Sequence, residues 1–135
     1  MMAVRVGIDL VSVEAVRQSL SEHGEHYLRR VYSEREVRDC DTPSGPDPER
    51  LAARFAAKEA TLKVLRPGDV GVPWFTIEVV RRAEGWVALE LSGPAAELAA
   101  DAGITELALS ITHEAGFASA VVVASSASET GNHRR

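Results

Sequence analysis

The chain has 135 residues, enough for one domain that buries roughly two-thirds of its unfolded surface. Hydrophobic residues make up 45% and charged residues 26%, the balance of an ordinary globule, and no apolar run approaches the ~18 residues of a membrane span. A net charge of −5 gives no reason to expect nucleic acid, and the single cysteine, Cys40, excludes an internal disulfide or a cysteine-based metal cluster.

AVRVGIDLV opens the chain with apolar residues at Val4, Val6, Ile8 and Leu10, an alternation that predicts a strand ending near Asp9. One arginine followed so soon by an aspartate does not make a signal peptide, so the cytoplasm is the expected location. Ser12 can cap a helix running to about Leu20, and Ser33 with Glu36 three residues on forms a capping box. Arg17, Arg29, Arg30, Arg35 and Arg38 fall among Glu22, Glu25, Glu34, Glu36 and Asp39, which predicts a solvated face of mixed sign. DTPSGPDPE reads as a loop, with the next helix opening at Pro48–Glu49.

The stretch Glu49–Leu65 contains no Gly or Pro and carries a stripe of Leu51, Phe55, Leu62 and Leu65 at helical spacing. RPGDVGVP ends it. Phe75–Arg81, Trp86–Leu91 and Thr105–His113 read as strands, with a short helix, Pro94–Ala102, before the third. Phe117–Ala124 follows a Glu-Ala-Gly turn and predicts an antiparallel hairpin. Residues 125–135 read as a disordered tail, leaving 1–124 as a single domain. The expected fold is α+β, one long central helix packed on a mainly antiparallel sheet.

Several polar residues stand in apolar settings. Glu59 falls on the edge of the helical stripe and Lys58 nearer its middle, where each would be desolvated unless it meets a partner. Lys63, one turn beyond Glu59, allows a simple i,i+4 pair with Lys58 snorkelling, or a site. Asp9 sits where a strand gives way to a helix, a place that also suits a cap or turn former. His113 continues the row Leu107, Leu109 and Ile111, as a core residue or as a ligand. Trp74 and Trp86 read as sheet-packing residues. Walker A, GxGxxG, GxSxG and HExxH patterns are absent from the sequence. Phosphate chemistry here would therefore need a carboxylate-held metal together with Lys, Arg and His.

Gly7-Ile8-Asp9, RFAAKEATLK (Arg54 to Lys63) and LSITHEAGFASAVV (Leu109 to Val122), in that order and spacing, resemble the holo-acyl-carrier-protein synthase family. Arg30-Val31-Tyr32-Ser33 with Glu36 resembles another of its segments, so the likeness spans Val4 to Ala124. It implies Mg²⁺-dependent transfer of 4′-phosphopantetheine from coenzyme A to a serine of an acidic acyl or peptidyl carrier protein, releasing adenosine 3′,5′-bisphosphate. By resemblance, Asp9 and Glu59 hold the metal and, with Lys63, form the catalytic set. Lys58, Lys63, Arg54 and His113 match coenzyme-binding positions. The serine proton could pass to Glu59, to a water on the metal, or to His113.

The resemblance further implies a homotrimer with sites between subunits, and an N-terminal helix that presents basic residues to the carrier. The residue types suit the chemistry: phosphoryl transfer asks for positioning and charge neutralisation, and Mg²⁺ takes one or two carboxylates plus phosphates and water. Two departures bear on carrier choice. Where the family reads Ala-apolar-Gly-Thr-Gly after its lysine, this chain reads Val64-Leu65-Arg66-Pro67-Gly68-Asp69, and Ser12 and Ala15 replace a glutamate and an arginine. A non-catalytic module that grips coenzyme A or carriers is the alternative reading. A different metal-dependent phosphate enzyme on the same scaffold is a third.

Overall fold

A computed structural model describes residues 2–127. Its main sheet has the strand order β1–β7–β6, antiparallel throughout. β1 (Ala3–Ser12) pairs with β7 (Phe117–Ser126) along its whole length, from Ala3↔Ser126 to Ser12↔Phe117. It therefore runs past Asp9 to Ser12, because β7 supplies ladder partners that far. Ser12 then accepts from Ala15 N and caps α1 (Val13–His23).

The alternation in β1 is real, but its apolar side faces away from the core. Val4, Val6, Ile8 and Leu10 are 57–63% exposed, whereas Gly7 and Val11 are buried and Arg5 and Asp9 half-buried. The inner face is made of small residues: Gly7 on β1, and Ala118, Ala120, Val122 and Ala124 on β7. The facing helix, α4 (Pro48–Leu65), answers with buried Ala52, Ala53, Ala56, Ala57 and Ala60. These pairings bring helix and sheet backbones close. A Cβ on Gly7 would overlap the Ala60 carbonyl oxygen and stand 3.2 Å from Val64 Cγ2, so α4 could not keep its place with any other residue there.

Asp47 caps α4 at Glu49 N, Pro48 occupies its first turn, and Arg66 closes it in left-handed backbone. That conformation costs a non-glycine residue about 1–2 kcal/mol. The predicted stripe describes only part of the buried surface. Leu51 and Leu65 are buried and Phe55 and Leu62 half-buried, but Lys58 and Thr61 are fully buried as well. The reason is that the far side of α4 is covered too, by α1 and by β4.

The remaining elements follow the predicted order with local changes. α2 (Glu25–Val31), a helix the sequence reading did not include, comes next, then α3 (Glu34–Asp39), on which Ser33 and Glu36 form the expected capping box. A two-residue ladder, β2 (Asp41–Thr42) with β3 (Gly45–Pro46), lies inside the predicted loop. Pro73 starts a 3₁₀ turn, Trp74–Thr76, so β4 begins later than expected, at Ile77, and runs to Arg81. Trp74, expected to pack on the sheet, instead packs from this turn on Phe55 of α4, with centroids 5.1 Å apart and rings tilted by 59°. Trp86 lies in the hairpin turn before β5 (Val87–Leu91) and is 62% exposed, so it is no sheet-packing residue either. α5 (Gly93–Asp101) leads to β6 (Ile104–Glu114). β7 extends to Ser126, two residues past the expected domain end, and residues 128–135 lie outside those described. No helix among the described residues is long and apolar enough to cross a membrane.

Candidate functional site

Asp9 is the core-facing residue next after Gly7 on β1, so the close approach of α4 sets what it meets. Lys63 reaches back along the helix to donate to Ile8 O at 2.7 Å and to Asp9 Oδ1 at 3.4 Å. Glu59 lies on the same side of α4, one turn earlier. Burial, and then the Asp9 carboxylate, push its carboxyl above the usual range, while Lys63 pulls it down. Lys63 therefore serves Asp9 first rather than forming the simple helical pair with Glu59. One strand and one helix thus bring Asp9, Glu59 and Lys63 into a single half-exposed cluster.

No group of three or more His, Cys, Asp or Glu able to hold a metal occurs among the described residues. Two carboxylates held close against their mutual repulsion are instead the donor set that suits Mg²⁺, which completes its shell with phosphates and water. The pair fits that ion and is unsuited to a closed structural zinc site.

Neither Arg54 nor His113 has a contact with that cluster. Through the ladders, Asp9 pairs with Ala120 and Ala120 with Ile111, so His113 is two strands across and two residues along. That places the two backbones about 12 Å apart. The row Leu107, Leu109 and Ile111 does face inward, but His113 passes the edge of the core and is half-exposed. Its Nδ1 lies 3.1 Å from Glu49 Oε2, in the first turn of α4. Arg54 is 4% exposed, its Nη2 is 4.0 Å from Asp39 Oδ2, and its Nε and Nη2 have no hydrogen-bond partner among the described residues. Buried guanidinium donors without partners are costly in a finished protein and mark a place where an anion would be welcome.

Lys58 corrects the sequence reading. It neither snorkels nor faces the cluster: its side chain is fully enclosed, and Nζ contacts Glu36 Oε1 at 2.7 Å, Ile77 O at 2.5 Å and Trp74 O at 3.1 Å. Glu36, expected on a solvated face, is equally enclosed. Its Oε1 also accepts from Ser33 N at 2.9 Å and its Oε2 from Val79 N at 2.7 Å. The pair ties α3, α4 and β4 together. Glu36 gave no sequence signal beyond its capping box, and Glu49 none beyond an acid in a first helical turn.

Of the clustered arginines, Arg35 is occupied by Glu78 at 2.7 Å and Glu90 at 2.9 Å, as a mixed face requires. Cys40 is buried filler, its thiol pushed up to about 11 by burial.

A sequence model described as the 4′-phosphopantetheinyl transferase superfamily matches residues 5–121. The chain belongs to that superfamily. It is 43% identical over 129 residues to the holo-acyl-carrier-protein synthase of Chloroflexus aggregans, covering 87% of this chain and 92% of that one. The corresponding synthase of Desulforudis audaxviator is 39% identical, covering 96% and 98%. Among solved structures, the complex of the Chronobacterium ammoniagenes synthase with CoA superposes with a TM-score of 0.77 at 37% identity, covering 90% and 96%. The resemblance seen in the motifs and the α+β fold both stand on these matches.

Proposed function

We propose that this chain transfers 4′-phosphopantetheine from coenzyme A to a serine of an apo carrier protein, with Mg²⁺ held by Asp9 and Glu59. The observation that carries this reading is the convergence of the two carboxylates and Lys63 from separate elements, in a chain of this superfamily. When bound, the ion would act as a Lewis acid that stabilises charge on the diphosphate. Lys63, anchored on Ile8 O, holds its ammonium at the mouth of the cluster, where it neutralises the departing phosphate. Lys58 is outside this reading and holds the scaffold.

Arg54 and His113 enter the same reading as coenzyme contacts supplied by a second copy. The support is twofold: the two half-sites are apart within one chain, and the sheet has an uncovered apolar face. On that face Val6 pairs with Val123 and Ile8 with Val121, flanked by Val4, Leu10 and Phe117. A contiguous apolar surface of this kind marks an association site. We read the assembly as a homotrimer with inter-subunit sites, acting in the cytoplasm on an acidic carrier. Ile8→Glu is expected to give a monomer by light scattering and to lose transfer. A monomeric wild type with full activity would remove the shared site.

The activity itself is tested by mass spectrometry of apo carriers incubated with the protein, coenzyme A and Mg²⁺. Fatty-acid, polyketide and peptide-synthetase carriers are all included, because Ser12 and Ala15 alter the carrier-facing helix. A phosphopantetheine adduct on at least one is expected. Folded protein that modifies none refutes the proposal, and coenzyme A binding indifferent to Mg²⁺ favours the non-catalytic module.

A further inference from the structure

Arg5 on β1 meets Val64 near the end of α4, and Gly7 faces the Ala60 carbonyl, so strand and helix run in opposite directions. Arg5, Gly7 and Asp9 share the inner face of β1 by alternation. The contact they cross is built largely of glycine and alanine, which lets backbones approach but offers few ridges to interlock. How far α4 lies along the strand is then left to directional bonds.

Two such bonds join these elements, and they are reciprocal. From α4, Lys63 Nζ donates to Ile8 O at 2.7 Å. From β1, Arg5 Nη1 donates to Val64 O at 2.8 Å. On the helix the two bonds involve adjacent residues. Val64 O is among the last four carbonyls of α4, which have no partner within the helix, and Arg66 N already takes Leu62 O. The half-buried Arg5 guanidinium is also a cation at a helix C-terminus, where the macrodipole favours it. A long helical side chain leans toward the helix N-terminus, here toward Asp9. The axial position of Val64 therefore sets how far the Lys63 ammonium reaches.

We propose that Arg5 is a positioning residue for the transfer reaction: its grip on Val64 O holds the Lys63 ammonium beside Asp9. It acts through Lys63 rather than on the substrate. The inference rests on the transferase reading above, in which Lys63 neutralises the departing phosphate.

Steady-state kinetics of wild type, Arg5→Met, Arg5→Lys, Lys63→Met and the Arg5→Met, Lys63→Met double variant test it, together with melting temperatures. Arg5→Met is expected to lower kcat about tenfold and keep KM for coenzyme A within about twofold, because a misplaced charge is felt chiefly in the transition state. Arg5→Lys still donates to the carbonyl and is expected to recover most of the loss. With Lys63→Met already present, Arg5→Met is expected to change kcat by less than about twofold, since the group it positions is gone. Crystal structures of wild type and Arg5→Met read the geometry without activity, and Lys63 Nζ is expected to leave Ile8 O in the variant. Should Arg5→Met not fold, Arg5→Gln, with its shorter arm, carries the same expectations. Losses that add in the double variant, or a Lys63 that stays in place, overturn the proposal. A lower melting temperature with kcat unchanged overturns it too, leaving Arg5 a helix cap alone. A folded wild type that modifies no carrier refutes the transferase reading, and the catalytic role of Arg5 with it.

Discussion

Glu59→Gln is expected to reduce transfer to an apo carrier by roughly 10²–10³-fold, since metal stabilisation of transition-state charge is worth several kcal/mol. The fold should survive the change. Glu59 is carried by a helix fixed through its alanine face, and burial and the Asp9 carboxylate outweigh what its own carboxylate gains from Lys63. Burial and the neighbouring Asp9 raise its folded-state pKa above the unfolded value. The stability this group contributes is therefore full below the unfolded carboxylate range and is lost as pH rises through the raised value. At neutral pH the ionised Glu59 is a burden on the apo protein, and the amide relieves it. Glu59→Gln should thus melt no lower than wild type in chelator, and should lose the stabilisation that added Mg²⁺ gives wild type. Retained transfer, or an unaltered Mg²⁺ response, would remove Glu59 from the metal role.

Lys58→Met is expected to do the opposite, lowering stability while leaving the chemistry to the residues that remain. Removing one partner of a buried ion pair costs about 3–5 kcal/mol, because the other charge stays buried. For a chain of this size that corresponds to a fall in melting temperature on the order of 10–20 °C. Burial already pushes the Lys58 amine below its ordinary pKa, with Glu36 opposing the shift, so the pair is held by the fold and does not drive it. The double variant Lys58→Met, Glu36→Leu should recover part of the loss, as it removes both buried charges. Calorimetry of the three variants measures this. A Lys58→Met protein that melts as wild type does but binds coenzyme A weakly would return the lysine to the substrate.

These two neighbours show how far a sequence carries an argument about a site. Glu59 and Lys58 were both conspicuous as charges on an apolar helical stripe, and spacing alone could not say which one faced a cleft. Helical periodicity gives the angle between two side chains, about 100° for adjacent residues, but not what covers each direction. α3 and β4 cover Lys58 through Glu36, a contact across 22 residues of chain. Asp9 is opposite Lys63 across 54 residues. The same gap applies to the faces of β1. Alternation fixed which residues share a side. It did not fix which side the helix would take, and a face rich in glycine and alanine won because it lets backbones approach.

What the sequence determined by itself was local and periodic. It set the order of the main helices and strands, the caps at Ser12 and Ser33, the turn between β6 and β7, and the motifs that carry the family likeness. Those features depend on neighbours within a few residues, so local chemistry decides them. Only the tertiary structure decided that Lys58 and Glu36 are enclosed and that Asp9, Glu59 and Lys63 share one cluster. It likewise placed Arg54 and His113 elsewhere and turned the apolar side of β1 outward. Each of these depends on which surfaces pack together, and that follows from the whole chain burying the area it can at the closest approach its small residues allow.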